Sequence, residues 1–554
     1  MASLDPITGP LGKQKAAQLL ERSTFGPTRQ EIDSFAEKDA EEALNILFTE
    51  QPLPDPPVDP ATGEPWVNPK PGPENSDVND LIAYFIGWHI EQMRKESTNA
   101  REKLTFFLHT HLPVSRSKVQ SSTAIYYQNQ LYRHYAFKSF NQLFKKVVYD
   151  NAMLVYIDNF LNTAENPNEN FAREMFELYT IGKGPQIAPG DYTHFTEQDI
   201  KEAARVLTGY IYDQEFLTYH EDLLPEIKIA RGKIFAWGSD ELAILHDAGE
   251  KTFSEKFGNR VIKPGEILNE YATGDAALEE LDELIDMIFQ KDETARFLCR
   301  KLYRFFVYYK IDDEIEQDII EPLAQTMREN NYELKPVMER LLRSKHFFDT
   351  DNSTTQDDHA GALIRSPIES LVKLFRFFEI GMPEDLHKLY DDSYKNIILG
   401  YLYVMGINFY DPPDVAGYPA YFQPPSYNRN WITPTNLAFR YYLILPLLDG
   451  LKNPENELLF RLDILDWVEN SGNISNPSDA STLVNEVSGY LFASELPPER
   501  MDFFLSSIFL DGFPAYYWTN EWNNYLSSGN EGIVRFLLTK LLVALVQSPE
   551  MQLS

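Results

Sequence analysis

The spacing of hydrophobic positions along the chain predicts a protein built mainly from α-helices. Between residues 78 and 182, apolar side chains recur three and four positions apart, which is the spacing of one helix face. The pattern returns between residues 276 and 348 and again in the C-terminal third. We therefore expect a multi-helical fold of the mainly α class, with a small β-hairpin insertion and long ordered loops.

Interruptions of this pattern divide the chain into four predicted parts. They are N-terminal helices packing on the core at 1–51, broken at Phe25-Gly26-Pro27; a proline-rich loop at 52–77; a helical core at 78–350 with an irregular or β insertion at 211–270; and a C-terminal helical region at 351–554. Proline lacks a backbone N–H, so the 52–77 stretch cannot be a helix or a central strand. The C-terminal region contains a long loop at 411–435, and loops of that length in compact proteins tend to be functional.

Composition indicates a folded protein and excludes two classes of partner. Hydrophobic residues make up 43% and aromatic residues 13%, and 554 residues exceed the size at which one core keeps growing, so we expect two or more subdomains. The formal net charge of −34 argues against nucleic acid and anionic membrane surfaces, because both need a cationic surface. No apolar run reaches the roughly 18 residues of a transmembrane helix.

The N-terminal sequence lacks the apolar core of a signal peptide. Two interpretations stay open: the protein is cytoplasmic, or the sequence is a mature or truncated form with an added Met. The single cysteine, Cys299, lies in an apolar helical pattern, which predicts a small buried hydrophobic residue and not a reactive thiol.

Two neighbouring helical segments carry acidic and basic residues on one face and are the candidate catalytic site. Residues three, four and seven positions apart share a helix face. The candidates are Arg173, Glu174, Glu177, Glu202 and Arg205. On a buried face, one Glu would have a raised pKa and act as a general acid. On a solvated helix the same charges would be unremarkable, so both interpretations remain open.

His109 and His111, with Glu102 two turns earlier on the same helix, are the candidate metal ligands. Residues two apart lie about 200° around a regular helix, so both imidazoles could face one divalent metal only at a fraying helix end. Pro113 predicts that the helix ends nearby. The alternative is that His111 packs on the apolar stripe while His109 caps a carbonyl.

Other segments with reactive residues do not match known sites. HDAGEKTF, from residue 246, lacks the glycine spacing of a phosphate loop, so we reject a nucleotide site there. His134 fits a core histidine better than a ligand.

The order of the sequence motifs along the chain resembles that of the domain-of-unknown-function 1800 family. The resembling segments are LLERSTFGPT, REKLTFFLHTHLPVSRSKV, NQLYRHYAF, AMLVYIDN, NPNENFAREMFELYTIGKG, YTHFTEQDIKEAARVLTGY, HDAGEKTF, TARFLCRKLYRFFV, SPIESLVKLFRFF and DPPDVAGY, with Trp431 and Arg440. They span nearly the whole chain. Tyr210 and Tyr418 stand where the family usually has Trp, and HTHLPVS replaces the usual HNHF.

This resemblance implies a mostly helical fold and supplies no activity. It also implies that many relatives are exported, often beside a sulfatase-like partner protein. The histidine segment, the NENFARE segment and the EAARVLTG segment belong to one recurring set, which indicates that they meet in one core or cleft.

Two hypotheses for function follow. The first is a hydrolase or lyase acting on a glycan or other polymer, with a Glu as general acid/base and water activated by a divalent metal. The second is a non-catalytic binding or assembly protein of the cell envelope, whose charged faces are structural networks. A carboxylate-bridged di-iron site has less support, because such a site needs two Glu-x-x-His pairs and the sequence does not contain two.

Overall fold

The computed structural model describes residues 1–95, 98–224, 226–352 and 362–554. Within these ranges the chain is mainly α-helical and its strands form only short antiparallel pairs, which confirms the predicted fold class. The start of the predicted C-terminal region, at 353–361, lies outside the described residues. No helix in these ranges combines the length and the apolar composition that a bilayer span requires.

The first half of the chain holds the helices that carry the candidate site. They are α1 (Gly12–Ser23), α2 (Arg29–Ala36), α3 (Ala40–Leu47), α4 (Val78–Lys95), α5 (Arg101–His111), α6 (Arg116–Val119), α7 (Ser122–Tyr135), α8 (Phe140–Val148), α9 (Asn151–Tyr156), α10 (Asn170–Glu174), α11 (Glu197–Val206), α12 (Gly274–Phe289), α13 (Asp292–Phe306), α14 (Asp313–Ile315), α15 (Glu321–Glu329) and α16 (Leu334–Leu342).

The C-terminal helices follow. They are α17 (Pro367–Phe377), α18 (Leu399–Val404), α19 (Pro419–Phe422), α20 (Pro434–Tyr442), α21 (Ile444–Asp449), α22 (Ile464–Asn470), α23 (Ala480–Leu491), α24 (Pro498–Asp502), α25 (Ala515–Ser528) and α26 (Gly532–Val546). Wider π turns occur at Met175–Thr180, Glu316–Ile320, His387–Ile398 and Phe503–Phe509. Tighter 3₁₀ turns occur at Asn159–Leu161, Glu255–Phe257, Tyr427–Trp431 and Pro549–Gln552.

In the described part of the chain, the strands form five separate two-stranded antiparallel pairs. The pairs are β1 (Gln186–Ala188) with β2 (Asp191–Tyr192), β3 (Tyr210–Ile211) with β4 (Lys233–Ile234), β5 (Lys251–Thr252) with β6 (Val261–Ile262), β7 (Ile267–Leu268) with β8 (Tyr271–Ala272), and β9 (Leu451–Lys452) with β10 (Leu458–Phe460). In the second pair Tyr210 lies opposite Ile234, so the 211–270 insertion contains paired strand residues. Most of the strands fall within or beside the 211–270 insertion.

Helix caps explain several boundaries. Thr28 caps α2 and Thr196 caps α11, each through a reciprocal capping box, as their positions predict. The stretch after Thr28 forms two helices, because Asp39 forms a further capping box with Glu42 and starts α3. The N-cap residue of α10 is Glu169, which makes no side-chain capping bond. Asn168, one residue earlier, instead accepts a hydrogen bond from the Asn170 backbone at 3.0 Å.

One cluster of buried hydrophobic side chains runs through the described residues, and α5 and α7 lie inside it. Every α5 residue after Arg101 is buried, including its charged and polar residues. A helix enclosed in this way must pair its polar groups with other protein groups, because water cannot reach them. Cys299 is also fully buried, and burial raises the pKa of its thiol, as expected for a structural residue.

The 52–77 stretch contains no helix and no paired strand, as its prolines predict. The 411–435 loop is ordered but contains two short helical turns, α19 and the 3₁₀ turn at Tyr427–Trp431. Asp411 at its start accepts hydrogen bonds from the Ser115 and Ser117 hydroxyls, the second at 2.7 Å. These bonds fasten the loop to the segment that follows α5.

Candidate functional site

Glu102 lies in a buried ionic network between α4, α5 and α7. Its Oε1 and Oε2 accept hydrogen bonds from Arg133 at 2.5 and 2.7 Å, and His89 Nε2 is 3.4 Å from Oε2. Burial alone would raise the pKa of Glu102, but Arg133 and His89 together lower it well below its ordinary value. Glu102 is therefore an ionised carboxylate whose two oxygens are both already bound.

The same network continues as a chain of hydrogen bonds to the 411–435 loop. Asn129 donates to the Tyr410 hydroxyl at 2.9 Å, and that hydroxyl is 2.9 Å from His89 Nδ1. With His89 Nε2–H facing Glu102, its Nδ1 accepts from Tyr410, so each proton in the chain has a defined place. The network therefore orients side chains from three helices around one internal charge pair.

His109 lies beside this network but is not part of it. Its ring packs on Tyr410 with centroids 4.1 Å apart, and both ring nitrogens are buried without a hydrogen-bond partner among the described residues. Burial, with a smaller contribution from His89, lowers the pKa of His109 to about 3. The imidazole is neutral at physiological pH.

His111 faces a different part of the protein. Its Nε2 is 3.0 Å from the Tyr179 carbonyl, and its ring stacks on Phe107 at 5.9 Å between centroids. Burial and the nearby Lys301 lower the pKa of His111 to about 3. Because a carbonyl only accepts, Nε2 carries the proton, and the buried Nδ1 is an acceptor without a partner.

The structure does not bring Glu102, His109 and His111 into one ligand shell. The helix stays regular to His111, so the two imidazoles point to different sides, as their spacing requires. In the described ranges, the three side chains whose possible metal-ligand atoms lie within 4.8 Å of one another are His387, Asp391 and Asp392.

One member of that group is already paired with a cation, because Lys395 binds Asp391 at 2.8 Å, so we assign no site to it. His387 is largely exposed.

Arg173 is the centre of a surface ion-pair network on α10. Its guanidinium forms two hydrogen bonds to Glu197 on α11, at 2.9 and 2.7 Å, and lies 3.3 Å from Glu169. Glu177 is 3.6 Å from Arg173 and 3.2 Å from Lys183. These carboxylates raise the pKa of Arg173, which stays charged. Arg173 and Glu177 are therefore brought together, with Glu197 and Lys183 as partners that the sequence analysis did not identify.

Glu174 differs from its neighbours because it has no counter-ion of its own. No hydrogen bond or ion pair reaches its carboxylate from the part of the chain that the structure describes. Burial raises its pKa to about 7; Glu177 and Asp414 add to the increase, while Arg173 and Lys183 oppose it. Glu174 is therefore half-buried and about half protonated near neutral pH.

Part of the 411–435 loop lies near Glu174, because Asp414 acts on its pKa. The Tyr156 hydroxyl is 3.4 Å from the Asp414 carbonyl, and the Tyr179 hydroxyl is 3.4 Å from the Val415 carbonyl. Burial raises the pKa of both tyrosines, and the negative charge of Glu174 adds to the increase. Asp414 was missed in the sequence because it lies in a proline-rich segment without periodicity.

Glu202 and Arg205 form a separate group on α11. Arg205 donates to Glu202 at 2.6 Å and makes two bonds to Asp247, at 2.7 and 3.0 Å. Gln198 donates to the other Glu202 oxygen at 2.5 Å. The charged groups of Glu202, Arg205 and Asp247 therefore all have hydrogen-bond partners within this group. The bonds between Arg205 and Asp247 join α11 to the segment at 246–253.

That segment, HDAGEKTF, contains a second buried ionic network. Lys251 is hydrogen-bonded to Glu280, and His246 Nε2 is 3.3 Å from the same carboxylate. Its lysine is buried and occupied, which agrees with the rejection of a nucleotide site. His134 is half-buried beside Lys138, and burial lowers its pKa to about 4.

One comparison identifies relatives of the chain. The family model described as "Protein of unknown function (DUF1800)" matches residues 18–553, nearly the whole length. No curated protein and no solved structure matches.

Proposed function

The chain belongs to the DUF1800 family, and since that membership supplies no reaction, we propose from the site that it is a hydrolase or lyase acting on a glycan or other polymer. Glu174 is the proposed general acid/base. The single observation that carries this proposal is its raised pKa of about 7 in the absence of a counter-ion. A carboxyl with a pKa near the working pH can both donate and accept a proton during one turnover.

The surrounding charges support this role for Glu174. Asp414 and Glu177 disfavour its ionised form, and Arg173 is held by Glu197 so that it does not pair with Glu174 directly. Like-charged neighbours are a common way to raise the pKa of one carboxyl group. Asp414 is the candidate second carboxylate, for stabilising positive charge or activating water.

The remaining predicted residues have supporting roles in this proposal. Arg173 and Glu177 set the electrostatic field around Glu174. Glu202 and Arg205 hold α11, which carries the Glu197 partner of Arg173. No step is assigned to a metal bound by Glu102, His109 and His111, because Arg133 and His89 already occupy the Glu102 oxygens.

The test compares Glu174→Gln with Glu169→Gln on a panel of neutral and acidic polysaccharides. Glu169 is the N-cap residue of the same helix, is partly exposed and also contacts Arg173, so it controls for a change in the Arg173 network. Release of reducing ends measures hydrolysis, and ultraviolet absorbance of the unsaturated product measures a lyase reaction. We expect Glu174→Gln to lose about 100-fold or more in kcat, the range for general acid/base catalysis, and Glu169→Gln to keep its activity.

A second candidate function is supported by the buried networks. We also consider a non-catalytic binding or assembly protein of the cell envelope, working beside a sulfatase-like partner. The observation in its favour is that Glu102, Arg133 and Glu280 are fully paired inside the fold, as structural residues are. On this alternative, wild-type protein turns over no polymer in the panel. A Glu174→Gln variant as active as wild type would contradict the enzyme proposal.

A further inference from the structure

A narrow cleft between α5, α13 and the 411–435 loop is lined by two cations. Lys301 and Arg304 lie one turn apart on α13, and the cleft also contacts His111, Ala416, Tyr421 and Tyr427. Its volume is about 20 Å³, enough for one water-sized group such as a carboxylate oxygen. Both cations are partly exposed, so a ligand can reach them from solvent.

Neither cation has a carboxylate partner among the described residues. Lys301 lies over the Phe297 ring at 5.3 Å, and Arg304 lies over the Tyr427 ring at 5.0 Å with one bond to a backbone carbonyl. The chain has 84 acidic and 50 basic residues, so an unpaired pair of cations is not a consequence of composition. Arg300, on the same helix, is fully paired with Glu293 and Glu316.

Burial and the adjacent Arg304 lower the pKa of Lys301 to about 8. A positive charge disfavoured in this way is stabilised when an anion enters the cleft. His111 supplies a different group, because its unpartnered Nδ1 can accept a hydrogen bond from a hydroxyl. The cleft therefore offers two cations, one acceptor and aromatic walls, a combination that suits a sugar acid.

The 411–435 loop connects this cleft to Glu174. Ala416 lines the cleft, while Asp414, two residues earlier, contributes to the raised pKa of Glu174. Tyr179 makes a second connection. Its backbone carbonyl accepts a hydrogen bond from His111, and its side-chain hydroxyl is 3.4 Å from the Val415 carbonyl. Residues 414–416 of the loop therefore link the cleft to the surroundings of Glu174.

We propose that the cleft binds the carboxylate of a uronate unit in an acidic glycan, with Lys301 and Arg304 as counter-ions. This assignment rests on the proposed function, since it names the substrate class of the reaction assigned to Glu174. A uronate carboxylate lies beside ring hydroxyls, so it can meet the cations while a hydroxyl reaches His111. A free oxyanion shares part of this chemistry, and the experiment separates the two.

The experiment measures binding by calorimetry in the Glu174→Gln background, so that no turnover occurs. The ligands are an oligogalacturonate, a neutral galactose oligosaccharide of the same length, and inorganic phosphate. Lys301→Met removes one counter-ion, and Lys310→Met, at an exposed position after the same helix, is the matched control. We expect the oligogalacturonate to bind best and Lys301→Met to weaken it about tenfold, equivalent to about 1.4 kcal/mol.

Three results would overturn the assignment. They are equal binding of the acidic and neutral oligosaccharides, equal affinity in the Lys301→Met and Lys310→Met variants, and phosphate binding as tightly as the oligogalacturonate. Lys301→Met is expected to fold, because it removes an unpaired cation. Turnover of a neutral polymer that depends on Glu174, without acidic binding, contradicts only the cleft assignment. Binding of the oligogalacturonate without turnover of any polymer contradicts only the proposed reaction.

Discussion

Glu102 and Glu174 have similar sequence surroundings and opposite environments. Glu102 is buried completely and receives two hydrogen bonds from Arg133, which keep it ionised. Glu174 is buried less, has no cation of its own and has a raised pKa of about 7. Burial raises the pKa of both groups, so the presence or absence of a counter-ion decides the outcome. A charged helix face is thus a structural element where its charges are paired and a reactive one where they are not.

The largest effect is expected from removing the counter-ion of Glu102. Arg133→Met removes both hydrogen bonds that Arg133 donates to the buried Glu102 carboxylate and leaves the longer contacts from His89 at 3.4 Å and Arg101 at 3.8 Å. Breaking a buried pair in this way costs about 3–5 kcal/mol. Urea denaturation of the variant measures this loss. The double variant Arg133→Met, Glu102→Gln should recover part of it, because the uncompensated charge is gone. A loss below about 1 kcal/mol, the range for exposed ion pairs, would show that the network is accessible to water.

The second-largest loss of stability is expected from a substitution in the 411–435 loop, which contacts α5 and lies near Glu174. Gly417 has a φ of +99°, and a Cβ there would lie 2.8 Å from the Thr110 carbonyl, between the two histidines of α5. Gly417→Ala should therefore cost about 2–3 kcal/mol and reduce any activity, because it combines a strained φ with a clash. Gly472, with a φ of +73° and open space around it, is the matched control. Equal destabilisation by Gly472→Ala would mean that the contact with α5 is not needed.

The smallest effect is a pH dependence that has opposite signs in the two regions. The folded pKa of Glu174 is above its unfolded value, so the folded protein binds the proton more tightly and this group reduces stability as pH rises from about 4.5 through 7. Glu174→Gln should therefore gain about 1 kcal/mol relative to wild type between pH 5 and pH 8, allowing for screening. Glu102 has a lowered pKa and contributes stability that is lost only at acid pH. Melting curves of wild type and Glu174→Gln at pH 5 and pH 8, with Glu169→Gln as control, measure this difference in stability. A Glu174→Gln variant that is less stable than wild type at pH 8 would contradict the raised pKa of Glu174.

The helices themselves were predictable from local chemistry. Apolar spacing located α5 and α11, Thr196 marked the start of α11, and Pro113 marked the end of α5. These features depend on residues within one or two turns of each other, so a sequence contains the information needed to predict them.

The pairing of charges was not predictable in the same way. Arg133 is 31 residues from Glu102, and nothing local indicates that these two residues meet. The helix after Glu174 widens into a π turn at Met175–Thr180, which changes the face that the regular spacing of Glu174 and Glu177 implied. Asp414 acts on Glu174, and Ala416 lines the cleft with Lys301 and Arg304, through the course of the 411–435 loop. That course is a property of the tertiary structure.

The most direct test is a carbon-13 NMR titration of the glutamate carboxyl groups in wild type and Glu174→Gln. We expect one wild-type signal with a midpoint near pH 7 that is absent from the variant. If the signal lost in Glu174→Gln titrates at the ordinary glutamate pKa of about 4.3, Glu174 is an ordinary ionised carboxylate and the proposed acid/base role is contradicted.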